Sequence, residues 1–102
     1  MEAKRSSTED LRRALSALGD VHRFRLAELL LDRSRPVGEL VAVTGWPQPL
    51  VSHHLATLRR AGLVEAQRDG RRRLYRLSLP EDPELQALLA LFRSAVGSPR
   101  AA

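Results

Sequence analysis

Histidine is the only soft metal ligand in this 102-residue chain, because the sequence contains no cysteine. The missing thiols exclude disulfides, thiolate metal sites, iron–sulfur clusters and cysteine nucleophiles. His22 stands two residues after Asp20, and imidazole combined with carboxylate suits nickel or zinc. Glu9 or Asp10, on the preceding predicted helix, would complete such a site. The alternative interpretation of His22 is an ordinary residue near the start of a helix.

The other two histidines, His53 and His54, are neighbours and offer neither a metal pair nor a catalytic pair. Adjacent residues on a helix diverge by about 100°, so the two rings cannot chelate one ion. Ser52 beside His53 resembles a nucleophile with its base, but adjacent helical side chains do not meet in hydrogen-bonding geometry, and no acidic residue lies at a useful spacing. The six glycines are scattered and form no phosphate-binding loop. The pattern predicts a protein that is not an enzyme.

Arginine offers a different chemistry, the binding of phosphate. The formal net charge is +5, from 17 Lys+Arg and 12 Asp+Glu residues. The excess lies between Trp46 and Leu79, where seven arginines stand against two acidic residues, and the rest of the chain is balanced. A basic segment on a neutral body is typical of a polyanion-binding protein, whereas a merely soluble surface mixes its charges along its whole length.

Five helices and one hairpin must position these residues. Apolar residues at helical spacing predict helices at 9–18, 21–31, 36–44, 47–61 and 83–96. We expect Asp20 to cap the second helix, and Pro36 to occupy the first position of the third. Residues 63–68 and 71–79 alternate and flank Asp69-Gly70, a two-residue signal for a β-hairpin. The order α-α-α-α-β-β-α predicts a mainly α chain with a β-hairpin wing, which is a winged helix–turn–helix.

The fourth helix has two unlike faces. With the apolar seam set through Val51, Leu55 and Leu58, His54 points towards the seam, and the opposite side carries mostly short polar side chains that suit a major groove about 12 Å wide. The hairpin arginines suit the phosphate backbone or a minor groove. Alternatively, the hairpin arginines form a solvated face that protects an edge strand from aggregation. The predicted contacts to double-stranded DNA are Gln48, Pro49, Ser52, His53, Thr57, Arg60, Arg68, Arg71, Arg72 and Arg73.

Four stretches carry a family resemblance: LGDVHRFRL at 18–26, VGEL at 37–40, QPLVSHHLATLRRAGLV at 48–64 and RDGRRRLYRL at 68–77. Together they resemble the ArsR/SmtB family of bacterial winged-helix regulators. The resemblance spans most of the chain and is most specific over residues 51–64. It implies a homodimer that binds a pseudo-palindromic operator and that releases the operator, or binds it differently, when an effector binds. We expect a sequence-specific DNA-binding transcriptional regulator, acting as a repressor.

The dimer implied by the resemblance is built on the first and last helices, near 9–18 and 83–96. The apolar stripes of these two helices offer more apolar surface than the core of an 11.4 kDa chain needs to leave exposed at its ends. The alternative is that both stripes only close the core of one chain. The predicted interface residues are Leu11, Leu15, Leu85, Leu88, Leu89, Phe92 and Val96.

Two familiar metal sites of that family do not carry over to this chain. The third helix reads VGEL without cysteine, and residues 83–96 contain no histidine. Three possibilities stay open for the effector: nickel or zinc at a non-standard site with His22, an organic molecule, or none. A winged-helix module that binds a protein partner is the alternative to a DNA-binding regulator, because a fold alone does not determine function.

Length and composition predict a single domain over residues 1–102 with frayed tails at both ends. Hydrophobic residues make up 43% of the chain, an ordinary globular share. No apolar run approaches the roughly 20 residues that cross a bilayer, and the first ten residues do not form a secretion signal. We therefore expect no membrane partner and a cytoplasmic location.

Overall fold

The structure is a computed structural model that describes residues 7–97. Within this range five helices and three short strands follow one another, and their order confirms the predicted winged helix–turn–helix. The frayed tails expected at the chain ends lie outside the described residues. The elements are α1 (Ser7–Leu18), α2 (Val21–Leu29), β1 (Arg35–Pro36), α3 (Val37–Thr44), α4 (Gln48–Arg60), β2 (Val64–Asp69), β3 (Arg72–Leu77) and α5 (Pro83–Gly97).

Local capping chemistry determines where these helices begin and end. Asp20 is extended, and its Oδ2 accepts hydrogen bonds from the backbone amides of His22 at 2.9 Å and Arg23 at 3.1 Å, which confirms the predicted cap of α2. Gly45 ends α3 in the left-handed conformation, with φ at 75°. Pro47 is the extended residue before α4, and the next proline falls in the first turn, where its missing N–H costs no helical hydrogen bond.

The strand β1 is a feature that the sequence pattern did not predict. Its two residues pair antiparallel with β3, Arg35 opposite Tyr75 and Pro36 opposite Leu74, so the sheet order is β1-β3-β2. Pro36 was expected inside the third helix, but it is extended and precedes α3 as its cap residue. A proline has no amide to donate, so it suits an edge strand. Two residues are too few to show an alternating pattern.

The hairpin turn lies one residue later than predicted. Asp69 pairs with Arg72, so the loop residues are Gly70 and Arg71 rather than Asp69 and Gly70. Gly70 has a φ of 65°, and no non-glycine residue in the described range has a positive φ. A two-residue loop with glycine in its first position matches a type II′ turn. Arg68 therefore lies opposite Arg73 rather than Arg71, and Asp69 becomes part of β2.

One hydrophobic core joins all five helices to the sheet. It extends from α1 and α2 through the buried face of α4 to Leu77 on β3 and to three residues of α5. The helix α4 lies at its centre and packs against α1, α2, α3 and β2. The largest side chains with almost no exposure are Leu26, Leu40, Val51, Leu55, Leu58 and Leu63.

Truncation of a leucine in this core tests the placement of α4. Leu55 is 1% exposed and Leu79 is 75% exposed. We expect Leu55→Ala to lower the free energy of unfolding by about 2–5 kcal/mol, because it removes buried apolar contacts and leaves a cavity. The matched control Leu79→Ala should stay within about 0.5 kcal/mol of the parent protein. Urea denaturation at one protein concentration measures both, and equal losses would contradict the packing of α4.

Candidate nucleic-acid interface

The turn between α3 and α4 presents the start of α4 to solvent. Thr44 bridges this turn, because its Oγ1 donates to the carbonyl oxygen of Leu40 at 2.8 Å and accepts from the backbone amide of Trp46 at 3.1 Å. Gly45 reverses the chain between them. Gln48 and Pro49 follow at the exposed amino end of α4. The turn therefore holds this end away from the core, as a helix entering a groove requires.

The two faces of α4 are those that the helical wheel predicts. Its apolar seam is buried, while Ser52 and His53 are exposed. Thr57 is half-buried, and its hydroxyl donates to the carbonyl oxygen of His53 at 3.3 Å and accepts from Nη2 of Arg60 at 3.2 Å. Arg60 is thereby directed along the helix surface. The predicted contact residues of α4 thus share one face of short polar groups with a cation at its carboxyl end.

His54 is buried on the opposite side, as the wheel predicts, and it connects α4 to α2. Nη1 of Arg23 lies 3.2 Å from Nδ1 of His54, and Nε of Arg23 donates to the carbonyl oxygen of Ala17 at 2.7 Å. Burial lowers the pKa of His54, the nearby Asp20 carboxylate opposes this effect, and the charge of Arg23 adds to it. The ring is therefore neutral near pH 7. A single arginine links the end of α1, the start of α2 and the middle of α4.

The basic segment, which runs from α4 through the wing, carries arginine side chains that have no acidic partner among the described residues. The two acidic residues of the basic segment are paired, Asp69 with Arg72 at 3.1 Å and Glu65 with Arg76 at 3.5 Å. The other five arginines of this segment form no ion pair within residues 7–97, and all are exposed. They are Arg59, Arg60, Arg68, Arg71 and Arg73. These five account for the net positive charge of the segment and face solvent, where phosphate can reach them.

A cleft of about 460 Å³ lies between the carboxyl half of α4 and the start of β2. Arg59 and Arg60 line it on one side, and Glu65 and Ala66 on the other. Arg59 was counted in the basic segment but not assigned to the interface. Its position next to Arg60 at the end of α4 is the sequence signal that could have identified it.

The structure gathers the candidate metal ligands differently from the sequence-based hypothesis. Asp20 and His22 lie together as expected, but the third member of the group is His54, and Glu9 is an exposed residue outside it. One donor atom of each lies within 4.8 Å of the other two. The rings of His22 and His54 stack with centroids 5.2 Å apart and planes 8° from parallel. The hydrogen bond from the Arg23 amide is the largest cause that lowers the pKa of Asp20, with burial opposing it.

The residues predicted for the dimer interface fall into three groups: buried, half-buried and exposed. Leu85, Leu89 and Phe92 are buried in the core of one chain. Leu15 on α1 is 51% exposed, and Leu91 on α5, which was not predicted, is 65% exposed. The remaining predicted residues are half-buried: Leu11, Leu88 and Val96. The helix α5 thus carries two apolar stripes, one that enters the core and an outward stripe through Leu91. Leu88 lies between them and packs against the core.

A family model described as "Bacterial regulatory protein, arsR family" matches residues 20–66, which include α2, α3, α4 and the start of the wing. The HTH-type transcriptional regulator Rv0081 of Mycobacterium tuberculosis is 41% identical over 81 residues, which cover 78% of this chain and 71% of that protein. This chain belongs to the arsR family. A second relative, the HTH-type transcriptional repressor SmtB of the same species, is 45% identical over 64 residues, 63% of this chain and 47% of that protein.

Two solved structures of transcriptional regulators share the fold. HlyU from Vibrio cholerae superposes with a TM-score of 0.76 at 28% identity, over 93% of this chain and all of that one, and its name describes a transcriptional activator. The homodimeric winged helix–turn–helix DNA-binding domain of Mb0332 from Mycobacterium bovis superposes with a TM-score of 0.71 at 26% identity, over 99% and 98% of the two chains.

Membership of the arsR family makes this chain a DNA-binding transcriptional regulator, and the family is one of regulators rather than enzymes. The assignment confirms the predicted function class and the predicted exclusion of catalysis. Among the described residues no helix is both long and apolar enough to cross a membrane. Which side chains contact the DNA stays a prediction.

Two substitutions separate contacts to bases from contacts to phosphate. We expect His53→Ala to lower affinity for the operator by about 1–3 kcal/mol without weakening binding to random duplex, because a base contact carries sequence information. Arg71→Ala should weaken binding to both duplexes and reduce the slope of log affinity against log salt concentration by about one. Fluorescence anisotropy on both duplexes measures these effects. Equal losses on the two duplexes for His53→Ala would contradict its role in reading bases.

Proposed function

We propose that this arsR-family protein is a homodimeric repressor that places α4 of each protomer in the major groove of a pseudo-palindromic operator. The observation that carries the proposal is the exposed polar face of α4, with Ser52 and His53 at its centre. It lies beside a wing on which Arg68, Arg71 and Arg73 have no acidic partner in the described chain. Recognition of bases by α4 and binding of phosphate by the wing then come from neighbouring elements of one chain. The DNA it would bind lies in the bacterial cytoplasm, and we propose that location for the protein.

The geometry of α4 supports entry into a groove. A helix in the major groove must carry short side chains where it meets the base edges, and polar atoms to exchange with them. Ser52 and His53 satisfy both conditions, and Gln48 lies one turn earlier at the exposed amino end. The opposite face is held by Val51 and Leu58 in the core. Contacts with bases therefore need no rearrangement of the core.

The wing supports a phosphate contact on the flank of the same site. Arg68 and Arg73 face one another across the hairpin, and Arg71 lies in its loop. Three exposed cations at the end of a two-stranded ribbon can reach the phosphates of a duplex, and arginine binds phosphate oxygens in a planar, bidentate manner. The expected consequence is binding that weakens steeply as the salt concentration rises.

The outward stripe of α5 supports a dimer. Leu15 on α1 and Leu91 on α5 are largely exposed, and these two helices pack against each other. Phe24 of α2 lies edge-on to Phe92 at 5.1 Å and is also partly exposed. A contiguous apolar surface on a small chain is typical of a self-complementary interface. The Mb0332 domain, which this chain resembles over nearly its whole length, is described as homodimeric.

Repression is the simplest outcome of such binding at a promoter, because a dimer bound there excludes the polymerase from the same DNA. One relative is named a repressor, and a structural neighbour is named an activator. A reporter placed behind the operator should therefore rise in expression when the gene for this protein is removed. A fall in expression would replace repression with activation and leave the DNA-binding role intact.

Direct titration tests the DNA-binding role. We expect the protein to bind duplex DNA from upstream of its own gene tightly, and to lose roughly tenfold or more in affinity when salt is raised from 50 to 200 mM, because phosphate contacts release counterions. Fluorescence anisotropy measures both values, and a random duplex of equal length is the control. Absence of binding at every salt concentration would favour the protein-interaction module.

Substitution on the outward stripe tests the dimer without disturbing the core. We expect Leu91→Glu to shift the protein towards monomer and to weaken operator binding, because a buried charge without a partner opposes association. Ala90→Glu, a step of about 100° around the same helix, is the matched control and should stay dimeric. Light scattering coupled to size exclusion measures the mass. Phe92 is unsuitable for this test, because it is buried within one chain. A Leu91→Glu protein that remains dimeric would contradict this interface.

A further inference from the structure

We propose that Asp20, His22 and His54 form a binding site for one divalent transition-metal ion of the zinc or nickel type, and that the ion replaces the contact between Arg23 and His54. The site lies where the start of α2 meets the inner side of α4. It goes beyond the proposed function, and only its effect on DNA binding, treated last, rests on that function.

The three side chains are already close to the geometry that one ion requires. Oδ2 of Asp20 lies 3.7 Å from Nδ1 of His22, and one donor atom from each of the three residues lies within 4.8 Å of the others. Ligand bonds of about 2.1 Å place the donors around one ion roughly 3–3.5 Å apart. Movements of about an ångström therefore suffice. His22 and Asp20 are both only half-buried, so their side chains can make them.

The donor set suits a borderline metal ion rather than calcium or magnesium. Two imidazoles and one carboxylate are ligands that zinc and nickel accept, whereas calcium and magnesium prefer oxygen atoms alone. Both capping hydrogen bonds of α2 end on Oδ2 of Asp20. The second oxygen can therefore turn to an ion while the cap is kept.

Aromatic rings close the site on two sides. The ring of His22 stacks on His54, and it meets the ring of Trp46 edge-on, with centroids 4.7 Å apart. Such an enclosure limits the water that competes for an ion and holds the imidazoles in a fixed relation. Trp46 is the single tryptophan of the chain. Its fluorescence is consequently a direct reporter of an ion bound at His22.

Arg23 is the competitor of the ion, whichever nitrogen of His54 becomes the ligand. A guanidinium only donates hydrogen bonds, so Nδ1 of His54 accepts from Arg23 and the neutral ring carries its hydrogen on Nε2. An ion at Nδ1 would replace Arg23 directly. An ion at Nε2 would require the hydrogen to move to Nδ1, which could then no longer accept from Arg23. In both cases the Arg23–His54 hydrogen bond is lost.

Quenching of Trp46 fluorescence by Ni²⁺ tests the site in the tag-free protein. We expect saturable quenching that EDTA reverses, with an affinity lowered at least about tenfold in His22→Gln and in Asp20→Asn. Asparagine still caps a helix, so Asp20→Asn removes the anionic ligand without removing the cap. His53→Gln is the matched control, because this neighbouring histidine lies outside the group, and its Ni²⁺ affinity should equal that of the parent.

Arg23→Gln gives a result that a simple surface histidine site would not. Because this change removes the competing cation, we expect it to raise the Ni²⁺ affinity while the other two changes lower it. Circular dichroism confirms that each variant is folded before titration. If another variant does not fold, the comparison of the parent with a folded His22→Gln protein still decides the test. Absence of quenching in the parent, or equal affinities in the parent and His22→Gln, would overturn the site.

Operator binding supplies the second readout, because His54 lies on the helix proposed to enter the groove. Loss of the Arg23–His54 hydrogen bond changes how α4 is held against α2, so we expect Zn²⁺ to weaken operator binding about tenfold in the parent and not in His22→Gln. A parent protein whose operator affinity is the same with Zn²⁺ and with EDTA would overturn this coupling. A protein that binds no duplex would overturn the proposed function, while the Trp46 measurement would still decide the metal site.

Discussion

Burial of one face of α4 organises both the core and the exposed surface of this protein. Val51, Leu55 and Leu58 are held at the centre of the core by neighbours from four other elements. Because the helix has a fixed angular period, burying these three residues determines which side chains face outward. The polar face of Ser52 and His53 is thus a geometric consequence of core packing.

A polar contact at the edge of this core adds a different kind of constraint. Arg23 bonds to the end of α1 through the Ala17 carbonyl and to α4 through His54. Apolar packing tolerates small sliding movements, whereas a hydrogen bond between a cation and a ring nitrogen is directional. The start of α2 and the middle of α4 are therefore connected by a contact that can be exchanged for another without opening the core. This property distinguishes it from the leucine contacts around it.

The sequence was sufficient where a periodic pattern or a cap determined the structure. The end of α3 at Thr44, the cap at Asp20 and the inward orientation of His54 all follow from such local rules and agree with the structure, and the limits of α4 agree to within one residue. The hairpin loop was placed one residue early. The pair Asp69-Gly70 indicates a turn both when it forms the loop itself and when, as observed, the loop is Gly70-Arg71. The group of Asp20, His22 and His54 depends on how α2 crosses α4. Sequence spacing contains no information about that crossing.

The two apolar stripes of α5 show why the sequence could not separate core from interface. Leu85 and Leu89 share one stripe, Leu91 lies on the outward one and Leu88 lies between them, so a helical wheel shows a single broad apolar face. Only the position of α5 against α1 divides this face into a buried part and an exposed part. A monomer of this size has no further core for the outer stripe to enter. The proposed dimer would cover these exposed leucines with a second chain.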